Sequence, residues 1–140
     1  METVNETDNL ITNDGSDAVF ELDRVSKIYR NEGKDFTALR DVSFTIREGE
    51  IFGIIGMSGA GKSTLVRTLN RLTDVTSGSV RYFGRDLAEL KARELRKVRR
   101  SIAMIFQGFN LLQQRTVIKN VEQPLGIAGV GRRGREESVG

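Results

Sequence analysis

The sequence predicts an α/β fold, in which an N-terminal antiparallel β part precedes a core of alternating strands and helices. Two early segments, Ala18–Arg30 and Ala38–Ile46, alternate apolar and polar residues, as half-buried strands of an antiparallel sheet do. A glycine-rich loop then separates the apolar run Ile51–Ile55 from a segment with helical spacing. A second apolar run, Ile102–Phe106, follows another helical segment. Runs that are apolar on both faces indicate strands of a sheet covered by helices.

The remaining elements follow from local patterns. Asn31–Asp35 is polar and contains a glycine, which predicts the hairpin loop. Leu65, Leu69 and Leu72 share one helical stripe and predict a helix over Lys62–Leu72. The elements predicted after it are a strand over Ser79–Phe83 with the turn Gly84–Asp86, a helix over Leu87–Arg100, the strand Ile102–Phe106 ending at Gln107, and a helix over Thr116–Leu125 that stops near Pro124.

The loop between the first apolar run and the first helix carries the strongest chemical signal. Its residues Gly56–Thr64 fit the pattern G-x-x-x-x-G-K-[ST]. Glycines let backbone N–H groups converge on phosphate oxygens, and the helix N-terminus adds attraction for an anion. In this pattern Lys62 reaches the β- and γ-phosphates and Ser63 holds Mg²⁺. The predicted cofactor-binding residues of the loop are Gly56, Ser58, Gly59, Ala60, Gly61, Lys62, Ser63 and Thr64.

Composition excludes several other classes of site. The 140 residues contain no cysteine and no histidine, so Ser-His-Asp catalysis and cysteine-based metal sites are ruled out within them. No apolar run reaches the ~18 residues that cross a bilayer. The start has no basic and apolar segments of the kind found in secretory signals, so we expect a cytoplasmic protein.

Charge is unevenly distributed along the chain. Residues 1–17 hold five acidic residues and no basic one, which predicts a disordered leader. A partial domain is expected over 18–128, and the glycine- and arginine-rich segment 129–140 is predicted to be a disordered tail. Six basic residues fall within 91–100. A solvated helix face explains them better than a nucleic-acid surface, because no aromatic residues are interleaved to stack on bases.

Three separate features resemble the ATP-binding subunits of ABC transporters: the phosphate loop, Tyr29 at 27 positions before Gly56, and Gln107 at the end of the second apolar run. The resemblance covers about Phe20–Ala128. It implies an α/β P-loop core of ABC ATPase type and ATP with Mg²⁺ as cofactors. It also implies that Tyr29 stacks on adenine, and that Gln107 contacts Mg²⁺ and the attacking water, so that Lys62 and Gln107 are the catalytic candidates. The structural alternatives are a strand aromatic for Tyr29 and a polar strand end for Gln107.

Within that family the chain looks most like the ATPases of methionine importers. The segments that carry this likeness are Met104–Leu112, Arg115–Val117, Asn120–Val121, Asn70–Leu72 and Thr76–Gly78. Two features depart from the subgroup: Gly108 stands where a polar ring residue is more usual, and no proline precedes Thr76. Amino-acid importers and the ATPases of lipoprotein release or cell division share much of the pattern and remain alternatives.

The resemblance also implies partners and a location. A second copy of the subunit would complete an ATP-sandwich dimer at the cytoplasmic face of the membrane. Membrane-spanning permease subunits would be contacted near Phe109–Leu112, and an extracytoplasmic solute-binding protein indirectly. Whether Phe109, Leu111 and Leu112 form this docking surface or part of the core stays open. No nucleic acid is expected.

Several motifs of the family have no counterpart in these 140 residues: the Leu-Ser-Gly-Gly-Gln motif, the carboxylate strand with its catalytic glutamate, and the switch histidine. The sequence therefore predicts an ATPase domain that is incomplete at its C-terminus and binds ATP without hydrolysing it. A non-transport P-loop ATPase and a non-catalytic nucleotide-binding fragment remain open as alternatives. A GTPase lacks support, because no Asn-Lys-x-Asp motif is present.

Overall fold

The computed structural model of the protein describes residues 17–31, 33–108, 111–131 and 134. The chain divides into two compact units, Met1–Val98 and Arg99–Gly140. The predicted leader, apart from Asp17, and most of the predicted tail lie outside the described residues. The elements in chain order are β1 (Ala18–Asn31), β2 (Lys34–Arg47), α1 (Lys62–Leu69), β3 (Ser77–Tyr82), β4 (Arg85–Asp86), α2 (Ala92–Ser101) and α3 (Val117–Ile127).

The first unit is built on an antiparallel sheet with the strand order β2-β1-β3-β4. The predicted N-terminal hairpin is confirmed, with a tighter turn than Asn31–Asp35, because Asn31 already pairs with Lys34. The buried side chains Leu22, Val25 and Val80 come from β1 and β3. Leu22 and Val25 are separated by two exposed residues, because the β1–β2 register shifts between them.

The β1–β2 pairing contains several register shifts. Arg24 and Asp41 have positive φ angles there, of 46° and 50°. Serine hydroxyl groups accept hydrogen bonds from the backbone N–H groups of both residues. Ser43 Oγ accepts from Arg24 N at 2.8 Å, and Ser26 Oγ accepts from Asp41 N at 2.9 Å. Small polar side chains thus satisfy backbone donors at two irregular points of the ladder.

Helix α1 begins at Lys62 as predicted and ends at Leu69, three residues earlier than predicted. The Asn70 side chain accepts a hydrogen bond from the Leu72 N–H at 3.1 Å, and Arg71 has a φ angle of 52°. A side chain that satisfies a backbone N–H two residues on competes with the helix. The predicted stripe therefore extends one turn beyond the helix itself.

Helix α2 begins at Ala92, five residues after the predicted start at Leu87. Asp86 Oδ1 accepts from the Ala88 N–H at 2.8 Å and holds the residues just before α2 in a turn. Glu94 Oε2 accepts from the Lys91 N–H at 3.1 Å, as in a capping box. This backbone hydrogen bond, together with the Arg85 guanidinium, lowers the pKa of Glu94.

In the second unit, α3 continues through Pro124 to Ile127, so the predicted stop near Pro124 is wrong. Proline inside a helix removes one backbone donor. The Pro124 carbonyl accepts from the Ala128 N–H at 2.9 Å, so the last turn of the helix is hydrogen-bonded. The Thr116 hydroxyl caps the start by accepting from Lys119 N at 3.4 Å.

The two predicted buried strands, Ile51–Ile55 and Ile102–Phe106, are not strands in the structure. Ile51, Ile55 and Ile105 are 99%, 96% and 100% exposed. A strand requires a neighbour for its N–H and C=O groups, and among the described residues no strand pairs with either segment. Phe52, in the same segment, stacks on Phe44 at 4.7 Å but is still 39% exposed, so the apolar composition did not predict burial there either.

Arg71 links the end of α1 to the segment before α2. Its Nη1 donates to the carbonyls of Leu87 and Leu90 at 2.9 and 3.2 Å, and its Nε donates to Asp74 at 2.9 Å. Leu87, which is 2% exposed, lies at this junction. The junction therefore combines charge-assisted hydrogen bonds with a buried leucine.

We predict that Leu87→Ala lowers the free energy of unfolding by about 2–5 kcal/mol, because it removes buried methyl groups and leaves a cavity. The matched control is Leu72→Ala, at a position that is 48% exposed. We expect the control to change stability by less than about 1 kcal/mol. Urea unfolding of both variants measures the difference, and equal losses would contradict the packing described for Leu87.

Candidate nucleotide site

The phosphate-loop motif forms the turn that leads into α1. Gly59 and Gly61 have φ angles of 79° and 85°, in the left-handed region that glycine adopts readily. Gly61 is the N-cap of α1, and its carbonyl accepts the first helical hydrogen bond, from Leu65 N at 2.9 Å. The predicted strand before the loop is absent, whereas the helix after the loop begins at Lys62 as predicted.

Lys62 closes the loop on itself. Its Nζ donates to the carbonyls of Gly56 and Met57 at 2.7 and 2.6 Å. Gly56 packs closely against Ala60 and Lys62: a Cβ added to Gly56 would lie 3.3 Å from Ala60 Cβ and 3.8 Å from the Lys62 side chain. The ammonium is thereby held across the loop, between its first two residues and the start of α1.

The start of α1 is electrically positive. The first N–H groups of a helix have no intrahelical acceptor, and they carry the positive end of the helix dipole. No acidic residue lies in the first turn of α1, and no side chain caps Gly61. Ser63 is exposed and Thr64 half-buried. The arrangement suits an anion held by backbone donors, the Lys62 ammonium and two hydroxyl groups.

Tyr29 is brought to the same place by the hairpin. Its hydroxyl lies 3.5 Å from Thr64 Oγ1, which joins two residues that are 35 positions apart in the sequence. The ring is 39% exposed, and Lys27 Nζ lies 5.1 Å from its centroid. The structure therefore places Tyr29 beside the first turn of α1, where an aromatic ring is accessible near the phosphate loop.

Sequence reasoning missed Ala38, which contacts the end of the loop. A Cβ added to Gly61 would lie 2.2 Å from the Ala38 carbonyl oxygen and 3.2 Å from Leu39 Cδ2. Ala38 is the extra residue of a register shift, because Lys27 pairs with Leu39 while Ile28 pairs with Thr37. Alternation of apolar and polar residues gives no signal for such a bulge.

Gln107 belongs to the second unit, where it is exposed in a bend. Of the predicted docking segment, Phe109 and Asn110 lie outside the described residues, whereas Leu111 and Leu112 are described. Leu111 and Leu112 are 62% and 41% exposed, so neither side chain is buried in a core. The part of the chain that the structure describes contains no cluster of three or more acidic side chains able to hold a metal.

None of the helices in the described residues has both the length and the apolar character needed to cross a bilayer.

Comparison with known proteins identifies the class of protein that this fold and loop define. The model of the ABC transporter family matches residues 39–138. The chain therefore belongs to the ABC transporter family.

The most similar curated relatives include two methionine import ATP-binding proteins. MetN 2 of Bacillus licheniformis is 56% identical over 118 residues, which are 84% of this chain and 35% of the relative. MetN of Geobacillus kaustophilus is 57% identical over 118 residues, covering 84% and 34%. The chain thus spans about a third of the length of these relatives.

Solved structures support the same family. The ATP-binding cassette MJ0796, in a dimeric post-hydrolysis state bound to ADP and Pi, superposes with a TM-score of 0.76 and 34% identity over 86% of this chain and 53% of that one. A second dimeric structure of MJ0796, described as a bacterial ABC transporter cassette, gives a TM-score of 0.75 and 35% identity over 84% and 53%. The fold prediction, an ABC-type ATPase domain with an antiparallel β part, is confirmed.

We predict that Gly61→Ala displaces the loop from β2, because its methyl group would overlap the Ala38 carbonyl. Gly59→Ala is the matched control, since it has a similar φ angle and nothing within 4 Å of an added Cβ. Both variants carry the cost of a left-handed alanine, about 1–2 kcal/mol. We expect Gly61→Ala to lose about 1–3 kcal/mol more in urea unfolding, because the added methyl group forces a backbone shift. An equal loss would show that the loop and β2 are not in contact.

Proposed function

We propose that this chain is the ATP-binding part of an ABC transporter subunit, and that the complete subunit couples ATP hydrolysis to import of methionine or another amino acid. The observation that carries the proposal is the Lys62 ammonium held across a glycine loop at the acid-free N-terminus of α1. The names of the relatives, methionine import ATP-binding proteins, support the transported substrate.

The loop fits a nucleoside triphosphate with Mg²⁺. The backbone N–H groups between Gly59 and Thr64, together with Gly56 and Ser58, would surround the phosphates. For this the Ala60 N–H would leave its acceptor, the Met57 carbonyl at 3.2 Å, and Lys62 would exchange its two carbonyl acceptors for phosphate oxygens. That exchange is favourable because hydrogen bonds between two charged groups are stronger than those to neutral carbonyls. The exposed Ser63 hydroxyl would hold Mg²⁺, which would neutralise charge on the phosphates.

Tyr29 is the proposed platform for the adenine base. Its ring is accessible and its hydroxyl lies 3.5 Å from Thr64 in the first turn of α1. A base on this ring would therefore be close to the phosphates bound by the same turn. Base–aromatic stacking contributes about 1–3 kcal/mol and needs no particular hydrogen bond.

Hydrolysis is proposed for the complete subunit. Lys62 would stabilise charge on the transferred phosphoryl group, and Gln107 would contact Mg²⁺ and the attacking water. The 140 residues supply the binding loop without a counterpart of the family's water-activating glutamate. We therefore propose that they bind ATP without turning it over.

The proposed partners are a second copy of the subunit and a pair of membrane-spanning permease subunits at the cytoplasmic face. A solute-binding protein outside the membrane would be an indirect partner. The dimeric state of the related MJ0796 cassette supports the first. The exposed Leu111 and Leu112 support permease contact in the segment Phe109–Leu112.

We predict that Lys62→Ala abolishes measurable ATP binding without unfolding the chain, because it removes the only ammonium that the loop motif supplies to the phosphates. Arg67→Ala is the matched control, since it removes one positive charge from the exposed side of the same helix. Nucleotide titration by calorimetry measures both variants. Unchanged affinity in Lys62→Ala would show that this loop is not the phosphate site.

We predict that Tyr29→Ala weakens ATP binding by about 1–3 kcal/mol through loss of the stacked ring. Tyr29→Phe keeps the ring and loses only the long contact with Thr64, so its affinity should change less than about twofold. The same titration compares the two. Equal weakening in both variants would point to the hydroxyl contact and against an adenine platform.

A further inference from the structure

A second aromatic ring lies beside Tyr29 at the end of the β1–β2 hairpin. Phe36 is the direct cross-strand partner of Tyr29, within the regular stretch of pairing from Ile28 to Asn31. Directly opposed residues of an antiparallel pair share one face of the sheet, with Cβ atoms about 4.5–5.5 Å apart. Phe36 is 59% exposed, so its ring is accessible to a ligand.

The face that carries these two rings is the face turned toward the phosphate loop. The Tyr29 hydroxyl approaches Thr64 in the first turn of α1. Two residues after Phe36, the Ala38 carbonyl meets Gly61 at the N-cap of the same helix. Both strands of the hairpin therefore contact the start of α1, β1 through Tyr29 and β2 through Ala38.

Tyr29 by itself offers a base only part of its surface. The Lys27 ammonium lies over the ring, 5.1 Å from its centroid, so one face of the ring is already in contact with a cation. A purine is wider than a phenol ring, and a base stacked on the remaining face extends past its edge. Phe36 is the neighbour of Tyr29 on β2, on the same face of the sheet.

We propose that Phe36 is a second base-binding residue, whose ring packs against the purine of ATP beside the Tyr29 platform. This proposal rests on the proposed function, because it takes ATP as the occupant of the loop. Covering part of an exposed phenylalanine removes apolar surface from water only when a base is present. We therefore expect Phe36 to contribute to the affinity for the base and not to the affinity for the phosphates.

The test compares ATP with inorganic tripolyphosphate, which has the phosphates and no base, by calorimetric titration of the full chain. Phe36→Ala should bind ATP about fivefold more weakly and tripolyphosphate unchanged. Phe36→Leu should retain most of the ATP affinity, because it keeps an apolar side chain. Thr37→Ala is the matched control, since Thr37 is the next residue along β2, is also exposed and points to the opposite face.

Each alternative outcome is decisive. Equal weakening of ATP and tripolyphosphate in Phe36→Ala would mean that the hairpin has shifted and would overturn a base contact. Unchanged ATP affinity in Phe36→Ala, with Lys62→Ala still unable to bind, would overturn the role of Phe36 and leave the proposed function intact. ATP affinity that is insensitive to Lys62→Ala would overturn the proposed function itself. Circular dichroism of the Phe36 variants confirms that each is folded.

Discussion

The close approach between Gly61 and the Ala38 carbonyl is the constraint on which the arrangement of the first unit depends. A side chain at Gly61 would lie 2.2 Å from that oxygen, so the N-cap of α1 can rest on β2 only because Gly61 has no Cβ. The approach needs the bulge at Ala38 as well, since the extra residue changes where the β2 backbone points. Through this contact the hairpin fixes the position of the loop, and the Tyr29–Thr64 pair comes together as a consequence.

The hydrogen bonds from Lys62 to the Gly56 and Met57 carbonyls offset an electrostatic repulsion at the start of α1. An ammonium beside the positive end of a helix is repelled by the dipole, and no carboxylate in the first turn of α1 compensates it. The carbonyls of Gly56 and Met57 take that role at 2.7 and 2.6 Å. They also hold the first residues of the loop close to the start of α1.

Local chemistry made much of the site predictable from sequence, and tertiary context decided the rest. The loop motif, the start of α1 at Lys62 and the hairpin were all recognisable, because spacing and alternation within a few residues specify them. The bulge at Ala38 was not recognisable, because it arises from the register between two strands. The late start of α2 was missed for a different reason: the Asp86 side chain competes for the backbone of the segment that looked helical.

The exposed isoleucines around the loop show what an apolar run can and cannot specify. Ile51 and Ile55 frame the segment that enters the phosphate loop, yet they are 99% and 96% exposed, while Phe52 between them is held by Phe44. Burying an isoleucine contributes about 1.5–3 kcal/mol. Two such side chains amount to a large fraction of the 5–15 kcal/mol that stabilises an ordinary domain. Among the described residues, the Phe52–Phe44 ring stack connects this segment to β2, and the two isoleucines contribute little burial energy there. The start of α1, the Lys62 hydrogen bonds and the close approach of Gly61 to Ala38 are formed although Ile51–Ile55 is not a strand, so the geometry of the loop does not depend on strand pairing by that segment.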